Sequence, residues 1–294
     1  MNLPGIIALK SLTKRDYRVL VAIETGMRNS EFVEIDLIAK FAAITVSETE
    51  RTLKSLHKMN LVHRWTGHFI GYELTIHGYD SLALNALYER NAIKSIGREK
   101  GVGKESKVFF ALDGNDNEVV IKMHRVGFTS FHQVRKKRRY TANKRHISEL
   151  YSSRLSAETE YNWIKLANSL SLPVPQAYSW NRHIISIELI DGIDLLKINR
   201  ITDPSSLLDD ILNFIDEAWN RGKFVHGDLS EHNIILNYEE KGIIIDFPQA
   251  VSSDLPEANE LLKRDIYNIL TYFRRKHGIS LDENEIYKTI TKAQ

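Results

Sequence analysis

Apolar residues recur along the first third of the chain at two spacings, and each spacing predicts its own kind of element. Within 13–26, Tyr17, Leu20, Val21 and Ile23 fall at helical intervals, and Gly26 supplies a stop. Ile35, Leu37, Ile38 and Phe41 predict a second short helix over 34–41. A third is expected over about 47–59, burying Leu53, Leu56 and Met59, with Ser47 as N-cap and Glu50 completing a capping box. Residues 61–65 and 69–74 read as strands around the turn Thr66-Gly67-His68. Three helices followed by a hairpin make a winged helix, with the third helix as recognition helix and the hairpin as wing. Residues 76–92 predict a further helix leading into a second domain. From about 93 the pattern changes to short strands, at 106–112 and 118–123, around the polar turn Asp113-Gly114-Asn115-Asp116-Asn117. A helix near 150–170 and strands near 183–190 follow.

Length and composition narrow the classes. A chain of 294 residues can build two cores, and 43 % hydrophobic with 27 % charged content fits folded domains rather than disorder. The absence of cysteine removes disulfides, thiol catalysis and cysteine-based metal sites. No run of about eighteen uncharged apolar residues occurs and the N-terminus lacks a secretory pattern, so no membrane span and a cytoplasmic location are expected. The net charge of +2 says little, but its distribution says more. Between Glu118 and Glu149 there is no acidic residue, whereas Lys122, Arg125, Arg135-Lys136-Lys137-Arg138-Arg139, Lys144 and Arg145 all fall there. Such a block either stays solvated or meets a polyanion. The third helix mixes Glu48 and Glu50 with Arg51, Lys54, His57 and Lys58, which leaves nucleic acid and protein both open as its partner.

Four short motifs carry the candidate chemistry. Gly101-Val102-Gly103-Lys104-Glu105-Ser106-Lys107-Val108 precedes a strand; glycines let backbone amides approach phosphates, and Val108 could cover a purine. Alone, a glycine-rich turn between strands explains it as well. Val119-Val120-Ile121-Lys122 places a lysine nineteen residues after Gly103 on the next strand, where it can hold phosphates. Val225-His226-Gly227-Asp228-Leu229-Ser230-Glu231-His232-Asn233 supplies a carboxylate to orient or deprotonate an acceptor and, five residues on, an oxygen ligand for a metal. Ile243-Ile244-Ile245-Asp246-Phe247-Pro248 ends an apolar strand in a second carboxylate thirteen residues after Asn233. Mg²⁺ prefers hard oxygen donors and retains waters, so Asn233, Asp246 and ATP phosphates suffice to hold it. Pro248, where ordinary kinases have glycine, stiffens the backbone there. Lys122 is expected to pair with Glu158 or Glu160 on the following helix, and the spacing of Tyr161, Ile164 and Leu166 favours Glu160. Only 48 residues follow Asp246, without an A-P-E motif, room for two helices but not for a peptide-docking lobe.

With these residues in view, the chain resembles the RIO family of atypical serine protein kinases, in its winged-helix-bearing second branch. The resemblance rests on Gly101-Val102-Gly103-Lys104-Glu105-Ser106, His226-Gly227-Asp228-Leu229-Ser230-Glu231-His232-Asn233 and Ile245-Asp246-Phe247-Pro248-Gln249, together with the winged helix. It implies an α+β fold, with a winged helix over 1–84 and a trimmed bilobal kinase domain over 85–294, its N-lobe about 93–190 and C-lobe about 191–294. It implies ATP with Mg²⁺ (or Mn²⁺) as cofactors. Asp228, Lys122 and Asp246 become the catalytic set, and Asn233 and Asp246 the metal ligands. Gly101, Gly103, Lys104, Ser106, Val108, Lys122, Glu160, Glu188 and Ile190 bind the nucleotide, the last two as the hinge beside adenine. By the same resemblance Asp246 is transiently phosphorylated, and a flexible loop over about 126–147 carries an autophosphorylated serine, with Ser130 and Ser148 the only serines nearby. The family's work in small ribosomal subunit maturation implies pre-ribosomal particles and ribosomal RNA as partners, and the short C-terminus resembles prokaryotic members. Two rival readings are a small-molecule phosphotransferase of the aminoglycoside or choline type and a nucleotide-binding scaffold with little catalysis.

Overall fold

Thr13 opens the first element. Its hydroxyl accepts from Asp16 N–H while the Asp16 carboxylate accepts from Thr13 N–H at 2.7 Å, a reciprocal cap that starts α1 (Lys14–Gly26). The computed structural model describes residues 5, 6, 9, 11–102, 105–125 and 145–292. A two-residue strand, β1 (Val33–Glu34), precedes α2 (Ile35–Ala42), which ends where Ala43 turns left-handed at φ 50°. The next helix, α3 (Val46–Lys58), starts earlier than expected. Its cap is Thr45 with Glu48, not Ser47 with Glu50. Both pairs fit the same motif; the turn at Ala43 leaves Thr45 extended at φ −68° and ψ 155°, so Thr45 takes the cap and Ser47 lies inside the helix. The hairpin of β2 (Val62–Thr66) and β3 (Ile70–Leu74) then forms the wing, and β1 adds to β3 to give the order β1-β3-β2.

The core beneath them holds Leu20, Ile23, Ile38, Leu53 and Leu56, with Met59 only partly buried. Val21, Leu37 and Phe41, which share the helical periodicity, stay exposed at 43, 37 and 45 %. The buried stripe is narrower than the apolar one because Ala22, Ala39 and Ala42 occupy the close contacts instead.

α4 (Ile76–Glu89) serves two cores. Tyr79 and Leu82 belong to the winged-helix core, whereas Ala83, Leu84 and Leu87 pack with Phe109, Ala111, Val119, Ile121 and Met123. Those last five residues lie on β5 (Ser106–Leu112) and β6 (Glu118–His124), two strands of a five-stranded sheet begun by β4 (Ser95–Val102). β4 was not evident from the alternation, because Gly97 and Gly101 interrupt it and its pairing with β5 carries two register shifts. After the long helix α5 (Arg145–Ser169), β7 (Ala177–Asn181) and β8 (Ile184–Glu188) complete the order β4-β5-β6-β8-β7.

The chain divides into two compact units, one of Met1–Ala157 with Ser179–Ser186, the other of Glu158–Tyr178 with Ile187–Gln294. The second contains β9 (Gly192–Asp194), α6 (Pro204–Asn220), β10 (Phe224–Val225), β11 (Ile234–Asn237), β12 (Gly242–Ile244), β13 (Val251–Ser252), α7 (Ala258–His277) and α8 (Glu283–Thr291). Asp203 caps α6, accepting from Ser206 N–H at 3.0 Å, and Pro204 sits in its first turn, where a missing N–H costs nothing. β11 lies between β12 and β9, and β10 pairs with β13. Two helices, α7 and α8, follow the last motif, as its remaining length allows. Among the described residues no helix is long and apolar enough to cross a membrane.

Candidate active site

In the first unit, strand register brings three motif residues side by side. Gly101 on β4 pairs with Val108 on β5, and Val108 pairs with Lys122 on β6. Phe109, Ala111, Val119, Ile121 and Met123 point into the core shared with α4, so the alternation of the strands turns Val108 and Lys122 to the opposite face. Ser106 shares that face two residues before Val108. Lys122 is nonetheless 7 % exposed, a setting in which a lysine is ordinarily held by a partner. An added Cβ at Gly101 would meet nothing within 4 Å, so the strand leaves open space over this position. Gly103 and Lys104 lie outside the described residues, as do Ser130, the basic run 135–139 and the side chain of Ser148.

In the second unit, Asp228, Asn233 and Asp246 are held on one frame. β10 delivers the chain to His226, whose Nε2 lies 3.1 Å from Ile245 O. Nε2 therefore carries the proton and donates, leaving Nδ1 to accept Asp228 N–H at 3.3 Å. The exposed Asp228 thus rises from a loop whose histidine is buried and tied to the strand that ends in Asp246. Asn233 Nδ2 donates to Asp228 O at 2.7 Å, which turns the side-chain oxygen of Asn233 away as a free donor for a cation. β11 begins at the next residue, and Ile245 N–H donates to Asn233 O at 3.0 Å, so the hairpin register puts Asn233 and Asp246 at one end.

Asp246 itself adopts φ 74°, a left-handed conformation that Asp tolerates better than most side chains. Phe247 beside it is fully buried, with its ring 4.6 Å from His226 and 6.4 Å from both Phe214 and Phe224. Its N–H donates to Glu160 Oε1 at 3.4 Å. Of the two glutamates considered on α5, Glu160 is the buried one, at 1 % exposure, and Glu158 is half-buried. Glu188 ends β8, with its N–H donating to Gln176 O at 2.9 Å and its carboxylate accepting from Gln176 N–H at 3.0 Å. Ile190 is half-buried just beyond.

The donor set suits Mg²⁺. Asn233 and Asp246 offer hard oxygens, and no cluster of three or more His, Cys, Asp or Glu ligands occurs among the described residues. A two-ligand site that leaves most positions to phosphate and water is how Mg²⁺ is ordinarily bound, and a caged Ca²⁺ or Zn²⁺ would need more.

Sequence reading missed the residues that hold the loop. Asp265 on α7, 1 % exposed, accepts from Gly227 N–H at 2.7 Å and from Leu229 N–H at 2.9 Å. Burial pushes its carboxyl above the usual range, against the opposing pull of His226, these two amides and Arg264. Arg264 donates to Gly227 O, and Asn268 Nδ2 to Leu229 O at 3.1 Å. Gly227 sits at φ 78°, and a Cβ there would come 2.7 Å from Gln249 O. The signal was present: Asp265 interrupts the apolar series Leu262, Ile266, Ile269 and Phe273 with a charge that helical spacing must bury.

The fold and these half-sites define a winged helix joined to a protein-kinase-like domain. The RIO domain family matches residues 107–286 and the Rio2 N-terminal family residues 9–90. The chain belongs to the RIO family and carries the N-terminal domain of its Rio2 branch. It is 37 % identical over 277 residues to the serine/threonine-protein kinase RIO2 of Caenorhabditis elegans, covering 94 % of this chain and 52 % of that protein. It is also 37 % identical over 277 residues to the RIO-type serine/threonine-protein kinase Rio2 of Methanocaldococcus jannaschii, covering 90 % of this chain and 100 % of that one. The chain therefore spans about half the length of the nematode relative and matches the archaeal one along its full length. A Rio2 kinase–ADP/Mg²⁺–phosphoaspartate complex from Chaetomium thermophilum superposes with a TM-score of 0.84 at 34 % identity, over 97 % of this chain and 89 % of that one.

Proposed function

We propose that the chain is an ATP- and Mg²⁺-dependent serine kinase and ATPase that acts on a maturing small ribosomal subunit in the cytoplasm. The observation that carries this reading is the single buried frame on which His226, Asn233, Phe247 and Asp265 position Asp228 and Asp246. Lys122, Val108, Ser106 and residues 101–104 take the nucleotide phosphates, and the backbone at Glu188 and Ile190 takes adenine. When bound, Mg²⁺ held by Asn233 and Asp246 neutralises charge developing on the phosphates. Asp228 accepts the proton of a serine hydroxyl as that oxygen bonds to the γ-phosphorus and the bond to ADP breaks. In the ATPase branch the Asp246 carboxylate takes the phosphoryl group instead, and water releases it; the phosphoaspartate in the Chaetomium complex supports this branch.

For the partner, support comes from α3. Arg51, Lys54 and Lys58 recur at helical spacing on its exposed side, with Glu50 one turn before Lys54. Beside it the wing exposes Phe69 and stacks Trp65 on Phe32 at 5.2 Å, a combination suited to phosphates and unstacked bases.

The test is turnover of γ-labelled ATP with Mg²⁺, following free phosphate and labelled protein for wild type and Asp228→Asn. Loss of both signals in the variant is expected. Equal turnover in the variant would sink the assignment, and binding without turnover in wild type, with or without a ribosomal particle, would favour a scaffold.

A further inference from the structure

α4 carries a buried carboxylate whose partners lead away from the winged helix to the start of β5. Asp80 is 1 % exposed. Its Oδ1 accepts from Arg125 Nη2 at 2.6 Å and from His183 Nε2 at 2.8 Å, while His77 Nδ1 lies 3.7 Å from Oδ2. Arg125 is the first residue after β6, three beyond Lys122, and its backbone N–H donates to Glu105 O at 2.6 Å. That bond extends the β5–β6 ladder by one rung past Ser106 and His124, to Glu105 just ahead of β5. His124 is fixed as well, its N–H donating to His183 O at 2.8 Å. One carboxylate on the winged-helix side therefore holds both the side chain that sets Arg125 and the histidine that sets His124.

A second clamp joins α1 to the residues between β7 and β8. Arg182 donates to both carboxylate oxygens of Glu24 on α1, at 2.8 and 2.6 Å, and lies 5.9 Å over the ring of Tyr79. Tyr79 in turn stacks on His183 at 4.8 Å. The molecule thus offers a comparison: Arg125 bonds the backbone of Glu105 directly, whereas the Glu24–Arg182 pair meets that network only through the Tyr79 ring.

We propose that Asp80 and Arg125 are positioning residues for nucleotide binding, through which the winged-helix domain sets the placement of Glu105 and Ser106 at the start of β5. The inference rests on the kinase reading above. Arg125→Gln and Arg125→Lys both keep the backbone N–H, so a lost affinity reports where that amide is held rather than whether it exists.

The experiment is calorimetric titration of the full chain with Mg·ATP, with thermal melts of each variant in parallel. Arg125→Gln and Asp80→Asn are expected to weaken Mg·ATP binding by roughly two- to thirtyfold, the range that coupling through packed networks ordinarily spans. Arg125→Lys, which keeps the charge opposite Asp80, should recover most of the affinity. Glu24→Gln should lower the melting temperature and leave affinity unchanged. Wild-type affinity in folded Arg125→Gln would overturn the proposal, and so would equal weakening in Glu24→Gln. Tighter binding in Asp80→Asn would mean that Arg125 touches phosphate directly once released, which also overturns it. A wild-type chain that binds no Mg·ATP would instead overturn the kinase reading and this inference with it.

Discussion

Replacing Asp265 by Asn removes one charge and keeps the shape, at the point where α7 grips the loop bearing Asp228. The wild-type carboxylate accepts two backbone N–H groups, at 2.7 and 2.9 Å, with almost no access to water. Hydrogen bonds to a charged group contribute about 1.5–3 kcal/mol each, and a buried donor left unpaired costs about 1–3 kcal/mol. Asparagine can satisfy one of the two amides, but its NH₂ then faces the other. The native loop conformation should lose on the order of 3 kcal/mol. If all of that appears as loss of the competent conformation, kcat falls about 150-fold; a loop with stability in reserve loses less, and at least tenfold is expected. Both amides that Asp265 holds belong to the loop around Asp228, so affinity for metal-free ADP should stay within about twofold. Single-turnover phosphoryl transfer with saturating Mg·ATP measures the first quantity and calorimetry the second. A variant that turns over within threefold of wild type, with an unchanged thermal midpoint, would refute the idea that this carboxylate holds the loop.

Gly227→Ala forces a Cβ to within 2.7 Å of Gln249 O in a left-handed conformation that costs an L-residue about 1–2 kcal/mol before the clash is counted; turnover should fall at least tenfold and the melting temperature should drop. Phe247→Ala empties a fully buried site between Phe214, Phe224 and His226 and should destabilise the fold by about 3–5 kcal/mol in urea titrations, with a near-wild-type midpoint refuting the packing described. Stability should also fall with acid. Burial holds His183 down to about 4, so below its ordinary value of 6.5 the unfolded chain takes up a proton that the folded chain refuses. The loss should reach on the order of 2 kcal/mol at pH 5. Asp80, kept well below the usual carboxylate range by His183, His77 and Arg125 despite its burial, extends the loss below pH 4. Urea midpoints at pH 7 and 5 should differ by less in His183→Gln, and equal shifts in the two proteins would locate the effect elsewhere.

Much of the molecule was legible before any coordinates. The winged helix followed from periodicity because each helix buries a stripe of its own, and a stripe is a local property of sequence. That Asp228, Asn233 and Asp246 belong to one loop and hairpin was legible because their intervals match a turn and the strand after it. Where two local solutions were equally good, sequence could not choose: Thr45-x-x-Glu48 and Ser47-x-x-Glu50 both satisfy a capping box, and the left-handed turn at Ala43 decided between them. β4 escaped notice because glycines and register shifts break its alternation, while its pairing with β5 supplies the hydrogen bonds that define it. The spacing of Tyr161, Ile164 and Leu166 favours Glu160 over Glu158 on α5, and Glu160 is the buried one of the two.

The partners of Asp80 and Asp265 belong wholly to the tertiary structure. His183 lies 103 positions from Asp80, and Gly227 lies 38 from Asp265. A carboxylate in a helix looks the same in sequence whether it faces water or two buried amides. Only the fold removes the water, and once it is gone an unpaired charge is so costly that the partner must be built in. The sequence by itself determined which groups could do chemistry; the packing of distant segments decided which of them are held still enough to do it.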